Sequence, residues 1–93
     1  MSEQKRLEAI VHGIVQGVGF RWWTRQVAQR LGLSGYVRNR RDRTVEVVAE
    51  GPRHMLRELL SLLQAGPSSS VVERVDVKWA PSTGTYRGFE VRF

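Results

Sequence analysis

The sequence predicts an α+β sandwich: a four-stranded antiparallel sheet, extended by a short C-terminal strand, with two helices on one of its faces. Three observations predict it. The apolar residues change period along the chain from two to 3.6 and back, twice over, which gives the order β-α-β-β-α-β. Each helical segment carries a single apolar stripe, so both need one covered surface. The chain has 93 residues and is 41% hydrophobic, enough for one core and hardly for two.

Residues 1–6 are polar and read as a flexible N-terminus, with 7–93 as a single domain. From 7 to 15, apolar side chains recur at Leu7, Ala9, Val11 and Val15 with Glu8 and His12 between them, the period of a strand. Ile10 and Ile14 interrupt the polar side, so the second face is expected to be partly covered. From 20 to 31 the period lengthens, and Phe20, Trp23, Thr24, Val27, Ala28 and Leu31 share one helical face. Gly32 follows where a C-terminal glycine is expected. Trp22 falls on the polar side and reads as a tolerated exposed aromatic.

Residues 35–40 and 44–50 are β-prone, with Arg41-Asp42-Arg43 as the hairpin loop between them. Gly51-Pro52 ends the third strand and opens a helix, since proline suits a first turn. Leu56, Leu59, Leu60 and Leu63 then fall at helical spacing, and Gly66-Pro67 stops the run. Val75, Val77 and Trp79 alternate with charged residues in a fourth strand, and Trp79 reads as core. A loop at 84–88 precedes a short strand in which Phe89, Val91 and Phe93 alternate with Glu90 and Arg92. Two striped helices on one face of such a sheet form the ferredoxin-like arrangement, with right-handed crossovers fixing the topology.

The composition narrows the chemistry. The formal net charge is +6, and of the 15 basic residues only Lys5 and Lys78 are lysine. Such a balance favours anionic partners. With no cysteine, disulfides, thiolate nucleophiles and zinc-thiolate sites are excluded. Acidic residues are scattered, with no paired constellation for a divalent metal. No apolar run is long enough to span a membrane, and the polar start lacks a signal region, so a cytoplasmic protein is expected. His12 and His54 read as a strand residue and a helix-surface residue.

The first strand and first helix are joined by Gly13-Ile14-Val15-Gln16-Gly17-Val18-Gly19-Phe20-Arg21, which uses three of the nine glycines. Glycine tolerates positive φ, so such a loop can curl until several N–H groups converge on one point. The first N–H groups of the following helix have no partner within it and carry partial positive charge. A phosphate suits that cradle. Arg21 sits unfavourably in a first helical turn, and its guanidinium becomes useful if an oxyanion is bound there. No Gly-Lys-Ser/Thr follows, so this is no nucleotide-hydrolysing loop, and the spacing misses the dinucleotide fingerprint. A tight turn that needs its glycines only for geometry explains the glycine pattern, taken alone, better than a binding role does. Nor does the pattern place Asn39, near the end of the second strand, relative to the loop.

The two segments together say more. Gly-x-Val-Gln-Gly-Val-x-Phe-Arg at 13–21, then Leu-Gly-Leu-x-Gly-Tyr-Val-Arg-Asn at 31–39, resembles the acylphosphatase family. The likeness continues through Thr44-Val45-Glu46, Glu50-Gly51-Pro52, Gly66-Pro67 and Gly88-Phe89-Glu90-Val91-Arg92, nearly the whole chain. The resemblance implies hydrolysis of small-molecule acyl phosphates to carboxylate and orthophosphate by a monomer without metal or cofactor. By position it implies that Arg21 binds the phosphate and that Asn39 orients the attacking water. The backbone N–H groups of Gln16, Gly17, Val18, Gly19 and Phe20 would hold the phosphoryl oxygens. It also places the cradle beside Asn39. One departure stands out: the hairpin has Asp42-Arg43 where the family usually has Asp-Gly, so a longer or differently built loop is expected.

Two other readings compete. Arg38, Arg40, Arg41 and Arg43 surround Asn39 and would suit RNA on the exposed sheet. Only Tyr36 offers an aromatic there, which makes nucleic acid unlikely as a partner. Acylphosphatase-like domains also occur in carbamoyl-phosphate-using enzymes; a chain closing after its last strand, without cysteine, favours a free-standing enzyme.

Overall fold

The computed structural model describes residues 3–93. Its elements are β1 (Gln4–Ile14), α1 (Phe20–Arg30), β2 (Ser34–Asn39), β3 (Val45–Pro52), α2 (Arg53–Ala65), β4 (Val71–Pro81) and β5 (Phe89–Arg92). The strands form one sheet in the order β4-β1-β3-β2-β5. Each neighbouring pair among β4, β1, β3 and β2 is antiparallel, as the sequence predicts. The sheet as a whole is mixed, however, because β5 pairs in parallel with β2, Gly35 opposite Phe89 and Arg38 opposite Arg92. The chain turns back after β4, so β5 runs against β4 and therefore with β2.

The alternation of β1 follows from burial. Leu7, Ala9 and Val11 are fully buried, together with Val45, Val47 and Ala49 of the neighbouring β3 and Val37 of β2. The helices cover this face with Phe20, Thr24, Val27 and Ala28 from α1 and Leu56, Leu59 and Leu63 from α2. Each fully buried leucine contributes roughly 1.5–3 kcal/mol. Thr24 is tolerated in this apolar layer because its hydroxyl donates to the Phe20 carbonyl at 2.9 Å.

Several boundaries move. Of the tail expected at 1–6, Met1 and Ser2 lie outside the described residues, and Gln4, Lys5 and Arg6 belong to β1, paired with Pro52, Gly51 and Glu50. The strand extends because β3 is long enough to offer it partners. On the other side β4 runs from Val71 to Pro81, longer than its alternation suggests, and pairs with β1 along that length. A register shift falls between His12 and Gly13. At Gly13, φ is 132° and a Cβ would meet the Val71 carbonyl at 2.0 Å, so only glycine fits. Trp79 is not core: as part of an edge strand it stays 39% exposed, with the Arg53 guanidinium over its ring at 6.0 Å.

The hairpin loop is short and tightly closed. Arg40 N–H donates to the Thr44 carbonyl at 2.9 Å and Arg43 N–H to the Arg40 carbonyl at 3.2 Å. Arg43 adopts φ 72°, the left-handed conformation glycine prefers. The arginine therefore accepts the strain that a longer loop would have avoided.

Candidate active site

Strand register brings the pieces together. Val11 of β1 and Asn39 of β2 both lie opposite Val45 of β3, so the end of β1 and the end of β2 meet at the same edge of the sheet. The glycine loop leaves β1 at that edge. Gln16 then fixes the distance, because its Nε2 donates to the carbonyls of Arg40 (2.8 Å) and Thr44 (2.9 Å) on the hairpin. Sequence reasoning assigned only the backbone of Gln16 and missed this strut. A side chain with two donors inside a glycine loop was the available signal.

Gly17 and Gly19 take φ 73° and 76°. A Cβ at either would meet nothing within 4 Å, so glycine serves conformation there and the space above the loop is open. The α1 ladder begins with Trp23 N–H to the Gly19 carbonyl at 3.1 Å. The N–H groups of Phe20, Arg21 and Trp22 therefore have no acceptor inside the helix. Gly19 offers no side-chain cap, and the first turn holds no acidic residue. The positive end of the helix dipole is left uncompensated over the open loop.

A pocket of ≈ 180 Å³ lies over these groups, lined by Gly17, Gly19, Phe20, Arg21, Trp22 and Asn39 among others. Asn39 Oδ1 has almost no exposed surface and no hydrogen-bond partner, the one such side-chain atom among the described residues. In a dry interior an acceptor without a partner costs roughly 1–3 kcal/mol, but this one lines a pocket that water or a ligand can enter. Arg21 is half-buried, with Nη1 donating to the Arg92 carbonyl at 3.3 Å and its guanidinium 4.7 Å from the centre of the Phe93 ring. Arg25 Nε likewise reaches the Phe89 carbonyl at 3.4 Å. The last strand thus holds the arginine face of α1, which the sequence could not show while the place of β5 in the sheet was unknown. Trp22, read as a tolerated exposed aromatic, is 52% exposed but lines the pocket.

The structure thus brings Arg21, Asn39 and the loop residues Gly17, Gly19 and Phe20 into one pocket; Gln16 braces it from behind, and Val18 packs against the core while its carbonyl accepts from the Ser69 hydroxyl at 2.8 Å. His12 is instead paired with Asp76 at 2.8 Å on the sheet surface, and His54 is exposed on α2. Chemically, backbone donors, a helix N-terminus and a planar guanidinium suit a tetrahedral oxyanion. On the open face of the sheet the Tyr36 ring is capped by Arg92 at 4.0 Å and flanked by Tyr86 at 5.9 Å.

Fold and pocket together define a class: a ferredoxin-like α/β sandwich with a cationic, donor-rich pocket at the turn from its first strand into its first helix. The comparisons with known proteins agree. The family model for acylphosphatase matches residues 7–91, and the chain belongs to that family. It is 53% identical over 87 residues to an acylphosphatase of Nocardia farcinica, covering 94% of this chain and 87% of that one. An acylphosphatase of Rhodococcus jostii is 50% identical over 88 residues, covering 95% and 99%. The crystal structure of acylphosphatase from Bacillus subtilis superposes with a TM-score of 0.92 at 34% identity, covering 96% of this chain and 99% of that one.

Proposed function

We propose that the protein hydrolyses the carboxyl–phosphate bond of small-molecule acyl phosphates, acting as a monomer without metal or cofactor. The observation that carries this reading is the unpartnered Oδ1 of Asn39 in a pocket shared with Arg21 and the glycine loop. A buried acceptor is tolerated at such a cost where a ligand supplies the missing donor. A water O–H is that donor. Held by Asn39, its oxygen is aimed at phosphorus, while the amide itself takes no proton.

The phosphoryl group sits in the loop, its oxygens on the N–H groups from Gln16 to Phe20 and on the Arg21 guanidinium. The transition state of phosphoryl transfer is loose, so positioning and charge neutralisation supply most of the acceleration. The bond between phosphorus and the acyl oxygen breaks as the water oxygen adds, and the proton that the water loses passes to a phosphoryl oxygen, so the products are a carboxylate and protonated orthophosphate. The acyl oxygen departs as a carboxylate, a leaving group that needs no protonation, and no strong general base is required. The stacking of Arg21 on Phe93 and its bond to the Arg92 carbonyl hold the fork near the loop before substrate arrives.

The test is hydrolysis of benzoyl phosphate in excess chelator, with inorganic phosphate binding measured alongside. The wild type is expected to turn over undiminished by the chelator. Arg21→Ala is expected to lose most phosphate affinity and roughly 10³-fold in kcat/KM. A purified, folded wild type that is inert, or is active only when metal is restored, would overturn the proposal.

A further inference from the structure

We infer that the tip of the β2–β3 hairpin is a second anion site, and that it selects acyl phosphates whose acyl group carries a further negative charge. The inference rests on the acylphosphatase reading above and names the substrate class of the same site.

A cleft of ≈ 450 Å³ opens at the hairpin, lined by Arg38, Asn39, Arg40, Arg41 and Asp42. Asn39 lines both this cleft and the pocket over the glycine loop. The two spaces therefore adjoin at Asn39. The arginines there are not equally committed. Arg38 is taken by Glu46 of the adjacent strand. Arg40 meets Asp42 only at 3.9 Å, beyond a hydrogen bond. Arg41 is exposed and has no ion pair among the described residues. The single acid in the cleft, Asp42, is turned back on its own loop, where Oδ1 accepts from the N–H and the hydroxyl of Thr44. Two guanidiniums with unused donors remain against one engaged carboxylate.

The backbone that carries them is held. The Arg40 backbone is pinned by its N–H bond to the Thr44 carbonyl and by Gln16 on its own carbonyl. The hairpin backbone is thus braced against the loop that would hold the phosphoryl group, which keeps the two arginines on the rim beside it. Charge placed beside a binding site favours ligands of complementary charge.

Two hydrolysis-resistant probes test this without relying on turnover. 2-Oxopropylphosphonate carries an uncharged acyl end, and 5-phosphonolevulinate carries a carboxylate at the same end. Calorimetry at low salt is expected to show the wild type binding the second roughly tenfold more tightly, about threefold for each arginine. Arg41→Gln should remove about a threefold share of that preference. The Arg40→Gln/Arg41→Gln double variant should abolish it while keeping affinity for 2-oxopropylphosphonate within twofold. Arg87→Gln, an exposed arginine beyond the other end of the sheet, should leave the preference intact. Equal binding of both probes by the wild type, or a preference that survives the double variant, would overturn the second site and leave the phosphoryl pocket standing. Failure of both probes to bind would overturn the pocket and the second site together.

Discussion

The two ends of the sheet treat a buried polar group in opposite ways. At one end Asn39, opposite Val45, keeps an oxygen that nothing in the protein satisfies. At the other end Glu50, opposite Arg6 and Ser34, is only 3% exposed, and its carboxylate is saturated. It accepts from the N–H groups of Thr83 (3.0 Å) and Gly84 (2.9 Å), the Thr83 hydroxyl (2.8 Å) and the Arg6 guanidinium (3.3 Å). The saturated end is finished by folding: it ties the return of the chain from β4 towards β5. The unsatisfied end is where the proposed function needs a ligand. Among the described residues the one unpartnered buried side-chain atom thus lies at the end that carries the glycine loop, and the densest polar knot lies where the chain must be held.

The sharpest way to break this comparison is Asn39→Ala. If the oxygen serves a ligand, turnover of benzoyl phosphate falls about 10²–10³-fold. Inorganic phosphate affinity stays within a few fold, since the loop and Arg21 carry it. Stability measured by urea stays within about 1 kcal/mol of wild type, because an unsatisfied acceptor is removed rather than a bond. A variant that is several kcal/mol less stable and fully active when folded would make Asn39 a structural residue and erase the contrast.

Glu50→Gln is the mirror experiment, and its effect belongs to stability. The amide keeps one accepting oxygen for the Thr83 and Gly84 N–H groups, but its NH2 turns a donor toward the remaining donors, and the Arg6 guanidinium loses its charged partner. About 2 kcal/mol of stability is expected to go, lowering the thermal midpoint by roughly 10 °C, with turnover at 25 °C unchanged. The same residue sets a pH signature. Burial pushes the Glu50 carboxyl up, but the N–H and hydroxyl of Thr83, the N–H of Gly84 and Arg6 outweigh it and hold it below its ordinary value. A group depressed in the folded state contributes stability that is fully present above its unfolded value and is lost as pH falls through its folded value. Wild type and variant should therefore differ fully at pH 7 and converge in acid, below the ordinary carboxylate range. A gap that persists at low pH would assign the loss to shape rather than charge.

The same contrast explains what was legible in the sequence. Periodicity revealed the helices and the antiparallel core because Leu7, Ala9, Val11 and the stripe Leu56, Leu59, Leu63 are buried one face at a time. The glycine loop was legible because positive φ leaves few residue choices, and the resemblance put Asn39 beside it. Three things were not legible. Trp79 reads as core because alternation reports which face a residue takes, not whether its strand lies at an edge. The support of Arg21 by Arg92 and Phe93 depends on β5 joining β2 across the sheet, a long-range pairing with no local signature. The Gln16 strut and the Glu50 knot are contacts of side chains far apart in sequence, 24 residues or more, which composition and period do not encode.

The smallest expected effect lies at the hairpin tip, between the two regions in character. Arg43 is the one non-glycine residue with positive φ among the described residues, at 72°. A left-handed arginine costs roughly 1–2 kcal/mol, and glycine there returns about 0.5–1 kcal/mol of it as added freedom of the unfolded chain. Arg43→Gly should therefore stabilise the protein by about 0.5 kcal/mol, a shift of a few degrees in the thermal midpoint. Turnover should not change, because the bonds that brace the site run through the Arg40 and Thr44 carbonyls rather than the Arg43 side chain. If the glycine variant were instead slower with its stability raised, the strained tip would belong with Asn39 to the functional end of the sheet, held in its conformation for the sake of the site beside it.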